Sequence, residues 1–276
     1  MFAVSITEPM QRSRGEASVA LSCGGAGLRL TGLRQQGSAK CILPHGPRGV
    51  AGVPEIVFLN TSGGLTGGDS LSYAVRLGPQ TRAVATTQTA ERAYRSSGDA
   101  ARVRVTMEVG EGAWLDWLPQ ETILFDSSRL DRRTVITLAP GAGCLLVETV
   151  VLGRAAMGET VAQLALRDWR EIRQGGRPLM VEPLVLNDAA LRTGVAGLAG
   201  QRAFASVAMV GQGAPDLLQA VRAVLDEPGV IAAASAFDGR LMLRMAARDG
   251  WPLRRQIARC LTVLRRGQPL PRVWQN

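Results

Sequence analysis

Short apolar segments separated by glycine and proline dominate the chain from Val4 to about Val210. In the clearest segment every second residue is apolar, as in Val103, Val105, Met107 and Val109. This alternation puts the apolar side chains of a strand on one face, which can then be buried. Aromatic residues make up only 4% of the chain, so Val, Leu, Ile and Ala must form most of the core. The pattern predicts a mainly β fold.

A weak internal repeat runs through the middle of this region. The segments Tyr94-Arg-Ser-Ser-Gly98 and Phe125-Asp-Ser-Ser-Arg129 begin 31 residues apart, and glycine-led turns begin at Gly78, Gly112 and Gly141. A period of about thirty residues is typical of folds in which each lap of the chain stacks on the previous lap. We therefore expect a layered, helicoidal β-fold.

A loop with two Gly-Gly pairs, Asn60-Thr-Ser-Gly-Gly-Leu-Thr-Gly-Gly-Asp69, joins two predicted strands. Glycine adopts backbone conformations that other residues avoid, so a structural loop or a close approach of another group is predicted at Gly63, Gly64, Gly67 and Gly68. Asp69 is predicted to cap the turn. The loop lacks the Gly-Lys-Ser/Thr ending and the G-x-G-x-x-G spacing of nucleotide-binding loops. The alternative to a structural loop is that the protein is an enzyme that binds a small ligand with residues 60–69.

The chain is strongly basic, with a formal net charge of +9, and Lys40 is its only lysine. A basic protein often binds an anionic partner, so a nucleic-acid-binding protein is a second alternative. The arginines are scattered, however, and no motif of aromatic and basic residues typical of RNA-binding strands occurs. We therefore predict no nucleic-acid partner and attribute the arginine content to GC-rich codon usage.

The cysteines and histidines offer little for metal binding or hydrolysis. The four cysteines lie far apart without a C-x-x-C pair, and nothing places His45, the only histidine, in a catalytic triad. The first residues show no signal-peptide pattern, and no apolar stretch approaches the roughly 20 residues that span a membrane. We expect a cytoplasmic protein that is not an enzyme, with no membrane partner and no tightly bound cofactor.

Two helices near the C-terminus are predicted, each opened by a proline. Pro215 begins a helix that ends before Pro228, and Pro252 begins a second that ends near Gly267. The second helix carries five arginines that are predicted to face solvent: Arg254, Arg255, Arg259, Arg265 and Arg266.

A hairpin around Asp238-Gly239 is predicted between the two helices. No low-complexity tract or charged block marks a linker, so we expect one domain. Its β body is predicted at 1–210, and a helix-hairpin-helix part with a C-terminal tail at 211–276.

Two acidic residues, Glu148 and Glu182, each follow a run of three apolar residues that resembles the end of a strand. A carboxylate there is costly to bury without a cation as partner. The residues alone favour exposure to water or ion pairs with Arg154 and Arg177.

Five segments follow one another along the chain: the loop at 60–69, TTQTAERAYRS at 86–96, GAWLDWLPQETI at 112–123, LGRAAMGE at 152–159 and PLPRVW at 269–274. In this order they resemble the motifs of the urease accessory protein family UreD, called UreH in some bacteria. The resemblance covers nearly all of the chain. It implies a helicoidal β-fold with two helices, which agrees with the patterns above.

The resemblance also implies a function, that of a non-enzymatic chaperone of urease maturation. Such a protein binds apo-urease and a helical accessory protein of the UreF type, which in turn recruits a GTPase of the UreG type. The family is expected to offer nickel a polar internal passage toward the urease active site. Oxygen ligands that hold Ni²⁺ weakly suit such a passage.

The resemblance assigns roles to particular residues. Glu148 and Glu182 are expected to face a common polar cavity and relay nickel, and Asp69 and Glu91 are further candidates for the passage. Glu91 and Arg95 alternatively pair with each other. The tail residues Arg272, Val273 and Trp274 are candidates for partner binding, because tryptophan often anchors protein interfaces. The alternative for Trp274 is that it packs against its own β body.

Overall fold

The computed structural model describes residues 12–25, 27–44, 52–194 and 197–275, and His45 lies outside them. These residues form two packed β-sheets and three α-helices, none of which is long and apolar enough to span a membrane. The strands are β1 (Arg14–Gly24), β2 (Gly27–Gly37), β3 (Ala39–Ile42), β4 (Glu55–Asn60), β5 (Ser70–Leu77), β6 (Arg82–Gln88), β7 (Glu91–Ala93), β8 (Ala101–Val109), β9 (Trp114–Leu118), β10 (Thr122–Leu124), β11 (Ser128–Leu138), β12 (Gly143–Leu152), β13 (Leu164–Gln174), β14 (Arg177–Asn187), β15 (Ala203–Val210), β16 (Val230–Phe237) and β17 (Arg240–Ala247). The helices are α1 (Asp188–Leu191), α2 (Leu218–Arg222) and α3 (Gly250–Leu264).

The chain winds between the two sheets, adding one strand to each sheet in every lap. The first sheet has the order β14-β13-β11-β8-β5-β1-β2, and the main path of the second is β16-β17-β15-β12-β9-β6-β4-β3. The strands of successive laps are parallel, and in the first sheet Ser70 pairs with Arg102 and Ala101 with Leu130. These partners lie 32 and 29 residues apart, so the predicted layered, helicoidal β-fold and its repeat are confirmed.

Three equivalent turns at one end of the sandwich lead from the first sheet to the second, at 78–81, 110–113 and 139–142. The third residue of each turn has a positive φ: 55° at Gln80, 61° at Gly112 and 68° at Gly141. Main-chain hydrogen bonds join neighbouring turns, from Gln80 to Glu111 and from Gly112 to Pro140. Glycine therefore recurs in the sequence where stacked turns require left-handed backbone.

The main core lies between the sheets and consists largely of Val, Leu, Ile and Ala. In this core, Phe58 stacks on Tyr73 and contacts Trp117 in an edge-on arrangement. A second apolar cluster lies between the second sheet and α3. The second sheet is thus covered on both faces, which explains why β12 is buried nearly throughout whereas β8 alternates.

The C-terminal part extends the second sheet. The predicted hairpin is formed by β16 and β17, and β15 lies between β17 and β12. Of the two predicted helices, the second is α3, whose first turn is capped by Asp249. The first is shorter than predicted, because α2 ends at Arg222. After α2, the Gln256 side chain donates to the Val224 carbonyl and accepts from the Glu227 backbone N–H. These side-chain hydrogen bonds replace the main-chain hydrogen bonds of a longer helix.

The prediction that the five arginines of the second predicted helix face solvent is wrong for Arg265 and Arg254, whereas Arg255 and Arg266 are exposed as predicted. Arg265 is buried, and its Nε donates to Oδ2 of Asp116 at 2.8 Å. The acidic residues of the segment before β16, Asp226 and Glu227, pair with Arg259 and Arg255. The chain on either side of α3 folds back over the helix and brings acids and carbonyl groups to the arginines.

Candidate functional site

Four loops lie side by side at the other end of the sandwich, where the chain returns from the second sheet to the first. They span 61–69, 89–100, 119–127 and 153–163. Main-chain hydrogen bonds join each to the next, from Leu65 to Arg92 at 2.7 Å, from Glu91 to Glu121 at 2.9 Å and from Gly153 to Leu124 at 2.8 Å. The segments 60–69, 86–96, 112–123 and 152–159, which were singled out in the sequence, therefore all contribute residues to this end of the sandwich.

The double-glycine loop packs against the neighbouring loop with no space for side chains at two positions. A Cβ on Gly64 would lie 2.9 Å from the Arg92 carbonyl oxygen, and one on Gly67 would lie 2.3 Å from that of Asp99. Left-handed φ values are found at Gly63 (77°), Gly64 (149°) and Gly68 (89°). The geometry therefore gives these glycines a structural role.

Asp69 ends this loop and is buried. Its carboxylate accepts hydrogen bonds from the backbone N–H groups of Thr66 and Ser13, both at 2.8 Å. It lies outside the lining of the adjacent cavity. The structure thus shows Asp69 as the cap of the turn.

A cavity of about 80 Å³ begins beside the loop and extends into the space between the sheets. Such a volume holds several water molecules. Its outer wall is formed by Asn60, Gly63, Gly64 and the exposed residues Gln88 and Thr89, and its inner wall includes Trp117, Thr122, Arg132 and Glu148. Glu91 lies on this wall as well, so two of the predicted passage acids, Glu91 and Glu148, line one cavity.

Glu91 has no arginine within ion-pair distance among the residues that the structure describes. Its carboxylate accepts from Asn60 Nδ2 at 3.3 and 3.4 Å and from the Arg92 backbone N–H at 3.1 Å. Burial raises the pKa of Glu91 to about 7, because water no longer solvates the carboxylate. Arg95 reaches toward Asp126 instead, so the predicted alternative of a Glu91–Arg95 pair is wrong.

Glu148 lies at the inner end of the cavity and is only 2% exposed. Its Oε2 is 2.6 Å from Nη1 of Arg132, and its Oε1 accepts from the Trp117 indole at 3.2 Å. Burial raises the pKa of Glu148, and Arg132 opposes this shift. The carboxylate is therefore held by a buried ion pair.

From Glu148 the charged side chains continue across the interior to the first sheet. Arg132 also binds Asp168 through Nε at 3.0 Å and Nη2 at 2.6 Å, and Arg170 contacts the same carboxylate at 2.5 Å. Burial alone would raise the pKa of Asp168, but the two guanidinium groups outweigh it and hold this pKa at about 2.

The series ends at Glu182, on the edge strand β14. Arg170 Nη1 donates to its Oε2 at 3.2 Å, Ser206 donates to the same oxygen at 2.8 Å, and Arg244 is 2.7 Å from Oε1. Glu182 and Arg244 line a groove of about 490 Å³ between β14 and the strands β16 and β17. We call the alternating series Glu148, Arg132, Asp168, Arg170, Glu182 and Arg244 the charge ladder.

Two expectations about these acids are wrong. Glu148 and Glu182 lie inside strands β12 and β14, not at strand ends, and on different sheets. Neither pairs with Arg154 or Arg177, since the strands bring other arginines closer; Arg154 pairs with Glu159. The two acids are linked through the charge ladder, and only Glu148 lines the cavity of about 80 Å³.

Among the described residues, no group of three or more His, Cys, Asp and Glu side chains is arranged to hold a metal ion. The ladder is formally neutral, because three carboxylates alternate with three guanidinium groups. A cation that entered it would have to exchange with an arginine for each carboxylate it contacts.

Residues 13–275 match the family described as UreD urease accessory protein. The chain belongs to the UreD family. A urease accessory protein UreD from Cereibacter sphaeroides is 64% identical over 271 residues, which cover 97% of this chain and 96% of that protein. Proteins of the same name from Paracoccus denitrificans and Dinoroseobacter shibae are 58% and 48% identical, over 96% and 98% of this chain and 93% and 95% of theirs. The protein therefore has a role in urease maturation.

In this UreD-family protein the C-terminal tail is not an exposed anchor at Trp274. The Trp274 side chain is buried, its indole N–H donates to the Leu118 carbonyl at 2.9 Å, and Arg254 lies over its ring. Val273 is half-buried and Arg272 is exposed. Of the two alternatives stated for Trp274, the structure shows the one in which it packs against its own β body.

Sequence reasoning missed the inner members of the ladder, Arg132, Asp168 and Arg170. A signal was nevertheless present, because these residues occupy the inward positions of strands that otherwise alternate apolar and polar. In β11 the inward row reads Ser128, Leu130, Arg132, Thr134, Ile136, and in β13 it reads Leu164, Leu166, Asp168, Arg170, Ile172. Opposite charges at inward positions of neighbouring strands point to a buried ion pair.

Proposed function

We propose that this protein is a non-enzymatic urease maturation chaperone that binds apo-urease, scaffolds the other accessory proteins and helps to pass nickel to the urease active site. In this proposal the partners are apo-urease, a UreF-type protein and, through it, a UreG-type GTPase. The protein acts in the cytoplasm, binds nickel only transiently and has no turnover of its own.

One observation supports the nickel-transfer part best, namely the set of polar side chains that leads from the cavity to the groove. Glu91 and Glu148 line the same cavity, and the charge ladder links Glu148 to Glu182 in the groove beside β14. Carboxylate oxygens bind divalent cations without the strong preference for retention that thiolates show. The arginines of the ladder compete for the same carboxylates, which favours release over storage.

Glu91 is the most accessible acid for an incoming cation, since no arginine has to be displaced from it. Its environment also makes binding dependent on pH, because a proton competes for the carboxylate up to a pKa of about 7. Glu148 is the next acid inward, where a cation would replace the Arg132 contact.

The test compares Glu91→Gln, Glu148→Gln and the double variant with Glu108→Gln as matched control. Glu108 is an exposed acid paired with Arg76, away from the cavity. Each variant is expressed with apo-urease and the other accessory proteins, and the nickel content of purified urease is measured by mass spectrometry. We expect several-fold less nickel with the double variant and no change with the control, while the amount of co-purified complex stays constant.

Glutamine is preferred to alanine at position 148. Removing the Glu148 side chain would leave Arg132 with one partner fewer in a buried site, at a cost of about 3–5 kcal/mol. If the double glutamine variant loads urease with nickel as well as the control does, the passage through Glu91 and Glu148 is refuted.

The alternative functions find less support in the structure. The residues of the loop at 60–69 are engaged in turns and in contacts with the neighbouring loop, so this loop offers no open cradle for a phosphate group. Many arginines are paired with acids, which leaves less positive charge for a nucleic acid than the formal charge suggests.

A further inference from the structure

In the described part of the chain, the main paths of the two sheets end at four outer strands, each with one row of main-chain N–H and C=O groups that no neighbouring strand uses. These strands are β2 and β14 in the first sheet and β3 and β16 in the second. Such edges pair readily with other chains, so proteins usually protect them with prolines, covering elements or short length.

Three of the four edges are protected in one of these ways. Bulges and charged side chains can also protect an edge, and β2 has one bulge and two arginines, but it lacks the three features named above. β14 contains Pro178 and Pro183, which cannot donate hydrogen bonds. The edge strand β16 packs against α2, and Arg222 donates two hydrogen bonds to its Ala234 carbonyl. β3 has only four residues.

The fourth edge, β2, is long and open. It has 11 residues and no proline, and all of its residues are exposed except Gly32, which is half-buried. No strand among the described residues pairs with its outer side. A bulge at Thr31 interrupts its pairing with β1 and leaves 32–37 as the longer regular stretch.

A row of leucines runs along one face of β2. Leu28, Leu30 and Leu33 are 43%, 47% and 48% exposed. Leu30 and Leu33 stand opposite the buried residues Leu21 and Val19 of β1, and directly opposed residues point to the same face of a sheet. The leucines therefore continue the core-facing side of the first sheet beyond its covered part.

The charge of β2 indicates which kind of strand can be added there. Arg29 and Arg34 lie on β2, which contains no acidic residue, and the ion-pair partner of Arg34 among the described residues is the exposed Glu16 at 3.5 Å. Pairing of β2 with β2 of a second copy would bring like charges together, in a chain with a net charge of +9. An added strand with acidic residues would instead be attracted.

We propose that β2 is the docking edge for an extended segment of apo-urease, which adds an eighth strand to the seven-stranded first sheet. The free main-chain groups of β2 specify an extended strand, the leucines specify apolar residues at alternate positions, and the arginines specify acidic residues between them. This inference rests on the proposed binding of apo-urease and adds the surface and the mode of binding.

The test uses the full chain and purified apo-urease of the same organism. The variant Leu30→Lys/Leu33→Lys places charges on the apolar face of the edge, and Ile231→Lys on β16 is the control, since Ile231 is 64% exposed on another edge strand. Both variants should fold, because about half or more of each replaced residue is exposed. We expect the double variant to bind apo-urease roughly tenfold or more weakly, and the control to bind as the unsubstituted protein does.

Hydrogen exchange distinguishes strand addition from a side-chain contact. Apo-urease should slow exchange of the amides at 27–37 in the unsubstituted protein, because strand addition gives the outward N–H groups of β2 acceptors. If the unsubstituted protein binds apo-urease but exchange at 27–37 is unchanged, or the double variant binds normally, the docking edge is refuted and the proposed function stands. If the unsubstituted protein does not bind apo-urease at all, both fail. Self-association that the double variant abolishes would assign β2 to a second copy and refute the proposal.

Discussion

Glu91 differs from Glu148 and Asp168 because no arginine among the described residues forms an ion pair with it. Glu148 and Asp168 share Arg132, whereas the donors to Glu91 in the described part of the chain are Asn60 and the Arg92 backbone N–H. Asp168 is thus kept ionised by its two arginines, which hold its pKa at about 2, whereas the pKa of Glu91 is raised to about 7. The cavity wall therefore carries one acid whose charge depends on pH near neutrality.

A pH-dependent stability follows from the raised pKa of Glu91. Burial shifts it from 4.5 to about 7, so the folded state holds a proton that the unfolded chain has released. The stability that this group contributes is complete below pH 4.5 and is lost as the pH rises through 7. Glu91→Gln should therefore be more stable than the unsubstituted protein at pH 8 by up to about 3 kcal/mol, with a smaller difference at pH 5.

Urea unfolding of both proteins at pH 5 and pH 8 measures this difference. Comparing the variant with the unsubstituted protein at each pH cancels the contribution of the other acids. A difference of the same size at both pH values would show that Glu91 does not titrate in the folded protein over this range.

At the scale of elements, the stacked loops are specified by close backbone contact. A Cβ on Gly67 would lie 2.1 Å from Ser96 Oγ and 2.3 Å from the Asp99 carbonyl oxygen, whereas one on Gly98 would meet nothing within 4 Å. We expect Gly67→Ala to lower the free energy of unfolding by about 1–3 kcal/mol, and Gly98→Ala to change it by less than about 0.5 kcal/mol. Urea unfolding measures both free-energy changes. Equal effects of the two substitutions would contradict the packing of this loop.

The C-terminal tail is an element of the fold. Trp274 fills a place between Arg254 and the Leu118 carbonyl, whereas Trp251 is 57% exposed. Trp274→Ala should cost about 3–5 kcal/mol in unfolding free energy, and Trp251→Ala less than about 1 kcal/mol. Truncation after Arg266 removes the buried Trp274 and should therefore destabilise the fold as well. If the truncated protein unfolds at the same urea concentration as the full chain, the tail does not stabilise the fold and is available for partner binding.

At the scale of the whole molecule, the two parts predicted at 1–210 and 211–276 are joined by shared structure. β15 pairs with β12 on one side and with β17 on the other, and the buried Arg265–Asp116 ion pair ties α3 to β9. We expect one cooperative urea transition, with coincident curves from far-UV circular dichroism and tryptophan fluorescence. Two separate transitions would show that the C-terminal part is a domain of its own.

The sequence by itself determined the class of fold and its repeat. Alternation in β5 and β8 and the glycine-led turns follow directly from local backbone preferences, so the strands, the lap length and the hairpin at Asp238-Gly239 could be predicted. The structural role of the double-glycine loop belongs to the same class, because left-handed backbone is a local requirement.

Only the tertiary structure decided which charges meet. Arg132 is 16 residues from Glu148 and 36 from Asp168 along the chain, and winding between two sheets brings the three together. The prediction that Glu148 and Glu182 lie at strand ends was wrong, because a buried ion pair allows a charged residue to lie in the middle of an apolar strand. The fate of Trp274 and of the α3 arginines also depended on chain segments that are distant in sequence. Local patterns encode strands and turns, whereas partners across the interior follow from the path of the whole chain.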